Sequence, residues 1–358
     1  MRFKSRICFF MALFLSFPLI AAEYTNGSIR LVLNADNGRF SLYSLDNSSQ
    51  RKPLALFADQ DQRTSFLSVM INDRSYKMGD SSAFKIRLGG GELNPALVFE
   101  SSFMTVTQEF SFIGSANQAA ANGIRITITL ENRGDRQISS GARFLLDTQL
   151  GEKRPGFPFT TNYRTINSET LVTRTDSDRY WIDRNERAGL AGSINTGGPG
   201  DPDSVLFANW KKLSDVSWKA VYQPGSNFNL PPYSVGDTAV CYYFEPRTLG
   251  RGEKRSYEFV LLVSADGVDL ASAFSAAFAA AFADSTALAA PGSALIRDLP
   301  DPFAADSSNA RAEDLAAIKE LISRIEARIA SGTATEDELA AFEHELNKFR
   351  AKYGPGGK

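Results

Sequence analysis

Histidine is almost missing from this chain. Its 358 residues include one, His344. That excludes a Ser-His-Asp triad, a Cys-His pair and any zinc or iron centre built on histidine. Catalysis would have to rest on carboxylates, Lys, Tyr or Ser, and a metal would have to be a hard cation held by oxygen. Cysteine is nearly as scarce, with Cys8 and Cys241 only. Charge of either sign is not in excess: 39 basic side chains stand against 41 acidic ones, for a net charge of −2. This balance argues against nucleic acid or anionic lipid as a partner, since both call for a basic patch. No apolar run reaches the roughly 20 residues of a membrane span.

The longest apolar run, Ile7 to Ile20, is broken by Ser16 and Pro18. It follows a basic head (Met1-Arg-Phe-Lys-Ser-Arg6) and precedes the small pair Ala21-Ala22. This is the build of a secretory signal peptide over residues 1–22. The reading predicts export to the periplasm or beyond, with a mature chain that starts near Glu23 and has no transmembrane segment. No small-residue-then-Cys lipobox marks the cleavage point. The signal removes three basic residues and no acidic one, so the mature chain is the more acidic form. Cys8 leaves with the signal, and Cys241 has no intrachain partner. Val240-Cys-Tyr-Tyr-Phe244 reads as a strand, so its thiol is expected to be buried and inert.

From Ser28 to about Ser264 apolar residues alternate at period two, with turn residues between the runs. Ile29–Leu33 and Phe40–Leu45 flank Asp36-Asn-Gly38, a strong hairpin signal. Phe66–Ile71 and Tyr76–Met78 form a second hairpin around Asn72-Asp73. Further strands are predicted at Ala83–Leu88, Leu97–Phe103, Met104–Phe112, Ile124–Leu130, Ile138–Leu146, Ser204–Phe207, Trp218–Tyr222, Ala239–Phe244 and Ser256–Val263. About a dozen strands without helical crossovers mean antiparallel sheets, and two stacked sheets bury their half-apolar faces. The expected fold is mainly β: a large antiparallel β-sandwich over residues 23–265. Residues 151–203, rich in Gly, Pro, Asp and Asn, are the least regular region, Gly197-Gly-Pro-Gly-Asp-Pro202 must be a loop, and long loops at one end of a sandwich are where a binding surface would sit.

The period changes after Asp266. Leu270, Phe274, Phe278 and Phe282 recur at i+4, predicting a helix over 266–284 packed on the sandwich. Residues 285–308 read as a linker. Leu315, Ile318, Ile322, Ile325 and Ile329 then follow a 3-4-3-4 spacing. After a break at Ser331-Gly-Thr333 and a capping box at Thr335–Glu338, Leu339, Phe342, Leu346, Phe349 and Tyr353 repeat it. Two such seams predict a C-terminal α-helical hairpin over 309–353, and residues 354–358 end as a loose tail. Two short helices bury little alone, so the seams are candidate partner-binding or self-association surfaces.

The densest polar constellation is Leu146-Asp-Thr-Gln-Leu-Gly-Glu152. Asp147 and Glu152 flank a glycine turn, as paired carboxylates for glycoside chemistry or as ligands of a Ca²⁺ ion. The competing structural reading has Asp147 accept backbone N–H bonds and pin the loop with help from Thr148. Trp181, Trp210 and Trp218, with Asp183 and Asn209 beside them, suit sugar faces and hydroxyls; their competing reading is aromatic core. No cofactor is expected apart from that possible Ca²⁺ ion.

The order Asn37-Gly-Arg-Phe40, Leu146-Asp-Thr-Gln-Leu-Gly151, Gly156-Phe-Pro-Phe159 and Leu206-Phe-Ala-Asn-Trp210 resembles a poorly characterised β-sandwich region of exported bacterial and archaeal envelope proteins. The resemblance spans residues 27–265. That region carries Asn-Asp-Gly after the glycine, where this chain has Glu152-Lys-Arg-Pro-Gly156, and no catalytic residue is carried over. Two expectations follow. The first is a non-catalytic envelope protein that binds or organises other proteins in the periplasm through its helices. The second is a carbohydrate-binding or carbohydrate-processing sandwich, with a groove lined by Trp181, Trp210 or Trp218 and faced by carboxylates.

Overall fold

The computed structural model describes residues 21–46, 48–58, 62–114, 121–152, 159–232 and 234–265. The signal stretch at 1–20, the helix expected at 266–284, the linker and the helical hairpin lie outside the described residues. Strands dominate what is described. The first are β1 (Ala21–Asn26), β2 (Ile29–Asn34), β3 (Arg39–Leu45) and β4 (Pro53–Ala55). There follow β5 (Phe66–Ile71), β6 (Arg74–Lys77), β7 (Lys85–Gly90), β8 (Pro95–Glu100), β9 (Met104–Gly114), β10 (Ala121–Asn132) and β11 (Ile138–Leu146). Next come β12 (Phe159–Thr161), β13 (Thr165–Ile166), β14 (Thr170–Thr173), β15 (Tyr180–Arg184), β16 (Ala188–Ser193) and β17 (Ser204–Asn209). A single-turn helix, α1 (Trp210–Ser214), precedes β18 (Thr238–Leu249) and β19 (Lys254–Ala265).

These strands form three antiparallel sheets. A nine-stranded sheet runs β13-β12-β15-β16-β19-β10-β9-β8-β7, a six-stranded sheet β14-β17-β18-β11-β5-β6, and a four-stranded sheet β1-β2-β3-β4. The period-two reading explains the layering. On β10, Ile124, Ile126, Ile128 and Leu130 are fully buried while the alternate residues are not. On β11 and β18, Phe144 and Tyr242 face the same core and meet Phe259 of β19, with ring centroids 5.2 and 4.5 Å away. The four-stranded sheet closes this core with Ile29, Leu31, Leu33, Phe40 and Leu42.

The six-stranded sheet is covered on its other face too. There Leu145, Cys241 and Tyr243 pack with Leu213 of α1 and with Ala220. Arg143, 1% exposed, lies on this face. It donates to the carbonyls of Leu213 and Val216 and, from Nε, to Cys241 Sγ at 3.2 Å. Cys241 is thus the buried thiol expected from its strand.

Two sequence readings are corrected here. Trp218–Tyr222 is not a strand; it crosses the outer face as irregular chain, and the Ala220 N–H donates to the Tyr243 hydroxyl. Apolar content alone supplied that reading, and no ladder partner is present. Residues 151–203, read as the least regular stretch with no strand assigned to it, carry β12 to β16. These strands escape a period-two search because they are two to six residues long, and because β16 (Ala-Gly-Leu-Ala-Gly-Ser) is buried along its whole length.

Candidate functional site

Pairing of β11 with β18 sets Leu146 opposite Val240. The residues that continue beyond this pair at the same strand end are Asp147 and those just before Val240, among them Asp237. Glu152 returns to the same place after the turn at Leu150-Gly151. One carboxylate oxygen from each of Asp147, Glu152 and Asp237 lies within 4.8 Å of the others. Asp147 is buried, and Glu152 and Asp237 are half-buried.

Each carboxylate is held. Asp147 sits by its backbone, with its N–H donating to Ser65 Oγ at 2.9 Å and its carbonyl accepting from Ala58 at 3.1 Å. Its carboxylate takes a hydrogen bond from the Thr64 hydroxyl. Glu152 Oε1 accepts the Thr238 N–H at 3.1 Å. Asp237 Oδ2 accepts from Ser234 Oγ at 2.7 Å, and its carbonyl accepts the Trp210 N–H at 2.9 Å. Among the described residues, no salt bridge reaches any of the three.

Burial dominates the electrostatics. It pushes Asp147 up to about 7, against the pull of the Thr64 hydroxyl and with the Asp237 charge adding to it. It pushes Glu152 up to about 7 as well; the Thr238 N–H opposes this, while Asp147, Asp237 and Asp183 reinforce it. Water removal disfavours the anion, and like charges compound the effect. The cluster can therefore share protons near neutrality, or it can hold a hard cation in their place.

Asp183 is the fourth acid of this region. It projects from β15 two residues after Trp181, so the pleat turns both inward. Only 1% exposed, it is pushed up to about 7 by burial, against the Thr148 side chain and the N–H groups of Leu150, Gly151 and Arg184. The Leu150 N–H reaches Oδ2 at 3.2 Å, and Oδ1 has no hydrogen-bond partner. The loop-pinning role expected of Asp147 thus belongs to Asp183. Asp147 could not fill it because its carboxylate looks away from the turn's N–H groups, toward Thr64 and the other two acids.

The aromatic expectation is revised. Trp181 is fully buried; its Nε1 donates to Tyr242 Oη at 2.7 Å, and its ring meets Phe159 edge-on at 5.9 Å. It has no face to offer a sugar. Trp210 is half-buried, with Nε1 donating to the Thr64 carbonyl at 3.0 Å, and Trp218 is half-buried in the crossing segment. Asn209 caps α1 through Lys212 N and donates to the Phe228 carbonyl and Ser234 Oγ, so its amide is committed to the fold.

A polar cleft of about 390 Å³ borders the cluster, lined by Glu169, Asn209, Lys212, Gln223, Asn227 and Asn229 among others. The chain of bonds from Asn209 through Ser234 to Asp237 joins the two. At the cleft floor, Lys212 Nζ grips Glu169 at 2.6 and 2.8 Å. A second cleft, of about 510 Å³, lies at the other end of β5 and β11 around Asn72, Tyr76, Phe103 and Asn132. No indole lines either cleft. Sequence reasoning missed Asp237 because it lies far along the chain from Asp147. The signal available was a Gly-Asp-Thr turn leading into the apolar run of β18.

No family model matches the chain. No curated protein matches it either. Solved structures similar to it include a galactose mutarotase related enzyme from Lactobacillus acidophilus, with TM-score 0.41 and 7% identity over 69% of this chain and 98% of that one. An aldose epimerase homologue from C. elegans gives a TM-score of 0.38 and 9% identity over 68% of this chain and 98% of that one. An α-N-acetylgalactosaminidase from Bifidobacterium bifidum gives a TM-score of 0.44 and 12% identity over 74% of this chain and 39% of that one. Likenesses of this depth assign no reaction to this chain, so its function has to be argued from its own residues.

Proposed function

We propose that this chain is a carbohydrate-binding or carbohydrate-processing β-sandwich protein, and that sugar is taken in the polar cleft beside the acidic cluster. The observation that carries the reading is the makeup of that cleft. The side-chain NH₂ groups of Gln223, Asn227 and Asn229 make no hydrogen bond to described residues and surround a fixed Glu169–Lys212 pair. Sugar hydroxyls both donate and accept, so a ring of amides over a fixed ion pair is a matched surface for them. Exposed Leu230 in its lining offers apolar area of the kind expected earlier from tryptophan. Export, read from residues 1–22, belongs to the same proposal and would place the site among extracellular or envelope glycans. The role of organising envelope proteins rested on helices outside the described residues, and the proposal does not draw on it.

A glycan array followed by calorimetry on the best ligand tests the reading. Gln223→Ala and Asn227→Ala are exposed changes that should leave the melting temperature in place and weaken binding about tenfold each, the worth of roughly one or two hydrogen bonds. The proposal is lost if no neutral or charged glycan binds, or if binding is indifferent to both changes.

A further inference from the structure

Resting on the sugar reading, we infer that the ligand of the polar cleft is a neutral N-acetylated glycan. Its acetamido carbonyl accepts from the amides of Gln223, Asn227 and Asn229, and its methyl group lies on Leu230. The hydrogen bonds already made in the lining carry this. Asn227 Oδ1 accepts the Asn229 N–H at 3.1 Å, and Asn229 Oδ1 accepts the Gly236 N–H at 2.7 Å. Gln223 Oε1 accepts from Lys212 Nζ at 3.4 Å and from Ser226 Oγ at 3.5 Å. A donor at each amide oxygen fixes which end of the amide is left over. It is the NH₂ end in all three, and none of these ends is bonded to a described residue.

The other acceptors of the lining are engaged as well. Both oxygens of Glu169 bond Lys212 Nζ, and Oε2 also takes the Gln223 N–H at 3.0 Å. Asn209 Oδ1 accepts the Lys212 N–H at 3.2 Å. Among the lining side chains, only the Ser226 hydroxyl oxygen accepts nothing yet. The cleft therefore offers donors in excess, two N–H groups on each free amide end. A sugar hydroxyl carries a proton that itself needs an acceptor, so it uses such a surface poorly. A carbonyl only accepts, and its two lone pairs take two amides at once.

Charge then selects among the acceptor-rich groups a glycan can carry. Carboxylates and sulfates accept too, but the charged side chains of the lining, Lys212 and Glu169, are paired with each other. The lining thus keeps no positive charge in reserve for an anion. Asp237 follows two hydrogen bonds away, through Asn209 and Ser234, with Asp147 and Glu152 beside it. An anionic sugar would meet negative charge there, and a neutral acetamido group does not. The acetamido group also brings a methyl. Leu230, 37% exposed, is the one large apolar side chain in the lining and gives that methyl a surface to cover.

The test titrates the full chain calorimetrically with matched trisaccharides that carry either hydroxyl or acetamido at C2, in the glucose and the galactose configuration. A glucuronate trisaccharide is the anionic probe. In one configuration or both, the acetamido form should bind about tenfold tighter than its hydroxyl counterpart, and tighter than the uronate. Asn227→Asp and Asn229→Asp keep the oxygen that accepts the Asn229 or Gly236 N–H and replace the NH₂ group by a second oxygen. Each should shrink the acetamido-to-hydroxyl ratio to about threefold or less, and Leu230→Ser should shrink it too. A ratio read within one variant does not depend on how much of that variant is folded. Equal affinity for both members of each pair overturns this inference and leaves the sugar reading standing. Tighter binding of the uronate overturns it in favour of an anion. A ratio unchanged in all three variants puts acetamido recognition outside this cleft and overturns it as well. If no trisaccharide and no other glycan binds, the sugar reading falls and this inference falls with it.

Discussion

Glu152 Oε1 accepts the backbone N–H of Thr238 at 3.1 Å, tying the turn after β11 to the first residue of β18. The tie crosses 86 residues of sequence and costs the protein a carboxylate placed against two others. Two substitutions separate these effects. Glu152→Gln keeps an acceptor for Thr238 and removes the charge, so without metal it should be at least as stable as the parent. Glu152→Ala removes the acceptor as well and strands the Thr238 N–H. It should lie below the glutamine variant by about 1 kcal/mol, a difference of roughly 2–4 °C in melting temperature. Differential scanning calorimetry in chelator measures both. Equal stability of the two variants would mean the bond contributes nothing to the fold.

Local pattern and long-range pairing account for what was readable in the chain. Phe66–Ile71 and Ile138–Leu146 come out with the observed bounds because their apolar runs stop at turns and loops, although both strands are buried on both faces. The hairpin at Asp36-Asn-Gly38 follows from the left-handed φ of +62° that Gly38 adopts. Asp147 and Glu152 were visible as a pair because they share one turn. Asp237 and Thr238 were not, because only the β11–β18 ladder brings them there, and a ladder partner leaves no mark at a fixed spacing. Trp181 misled for a related reason. An aromatic beside an Asp reads as a sugar site, yet here the indole N–H finds Tyr242 and the acid finds loop N–H groups, both inside the core.

Gly192 makes the Trp181–Tyr242 contact possible. It pairs with Trp181 across β15 and β16, and a Cβ placed on it would lie 2.4 Å from Tyr242 Oη and 2.5 Å from the indole. Tyr242 cannot retreat, because its ring stacks on Phe259 at 4.5 Å. Gly192→Ala should therefore destabilise by about 1–3 kcal/mol through overpacking. Trp181→Phe should cost about 2–4 kcal/mol, from a cavity plus an unpaired buried hydroxyl. Urea unfolding reads both. Neither should change glycan affinity in the folded protein; a selective loss of binding in Trp181→Phe would put the indole back in a ligand site.

The pH dependence of the metal-free protein follows from Asp147, Glu152 and Asp183, all pushed up to about 7. In the unfolded chain these groups titrate near the ordinary carboxylate values of 3.8 for Asp and 4.5 for Glu. Between those values and 7 the folded state holds more protons than the unfolded one, so stability falls as pH rises through that window. Chelated protein should thus melt higher at pH 5 than at pH 8, the reverse of a fold held by ionised carboxylates. Asp237→Asn should reduce the slope, because the Asp237 charge helps raise both Asp147 and Glu152. A melting temperature that climbs from pH 5 to pH 8 in chelator would mean that these acids are compensated in solution, and the cluster would then have no deficit for a proton or a cation to fill.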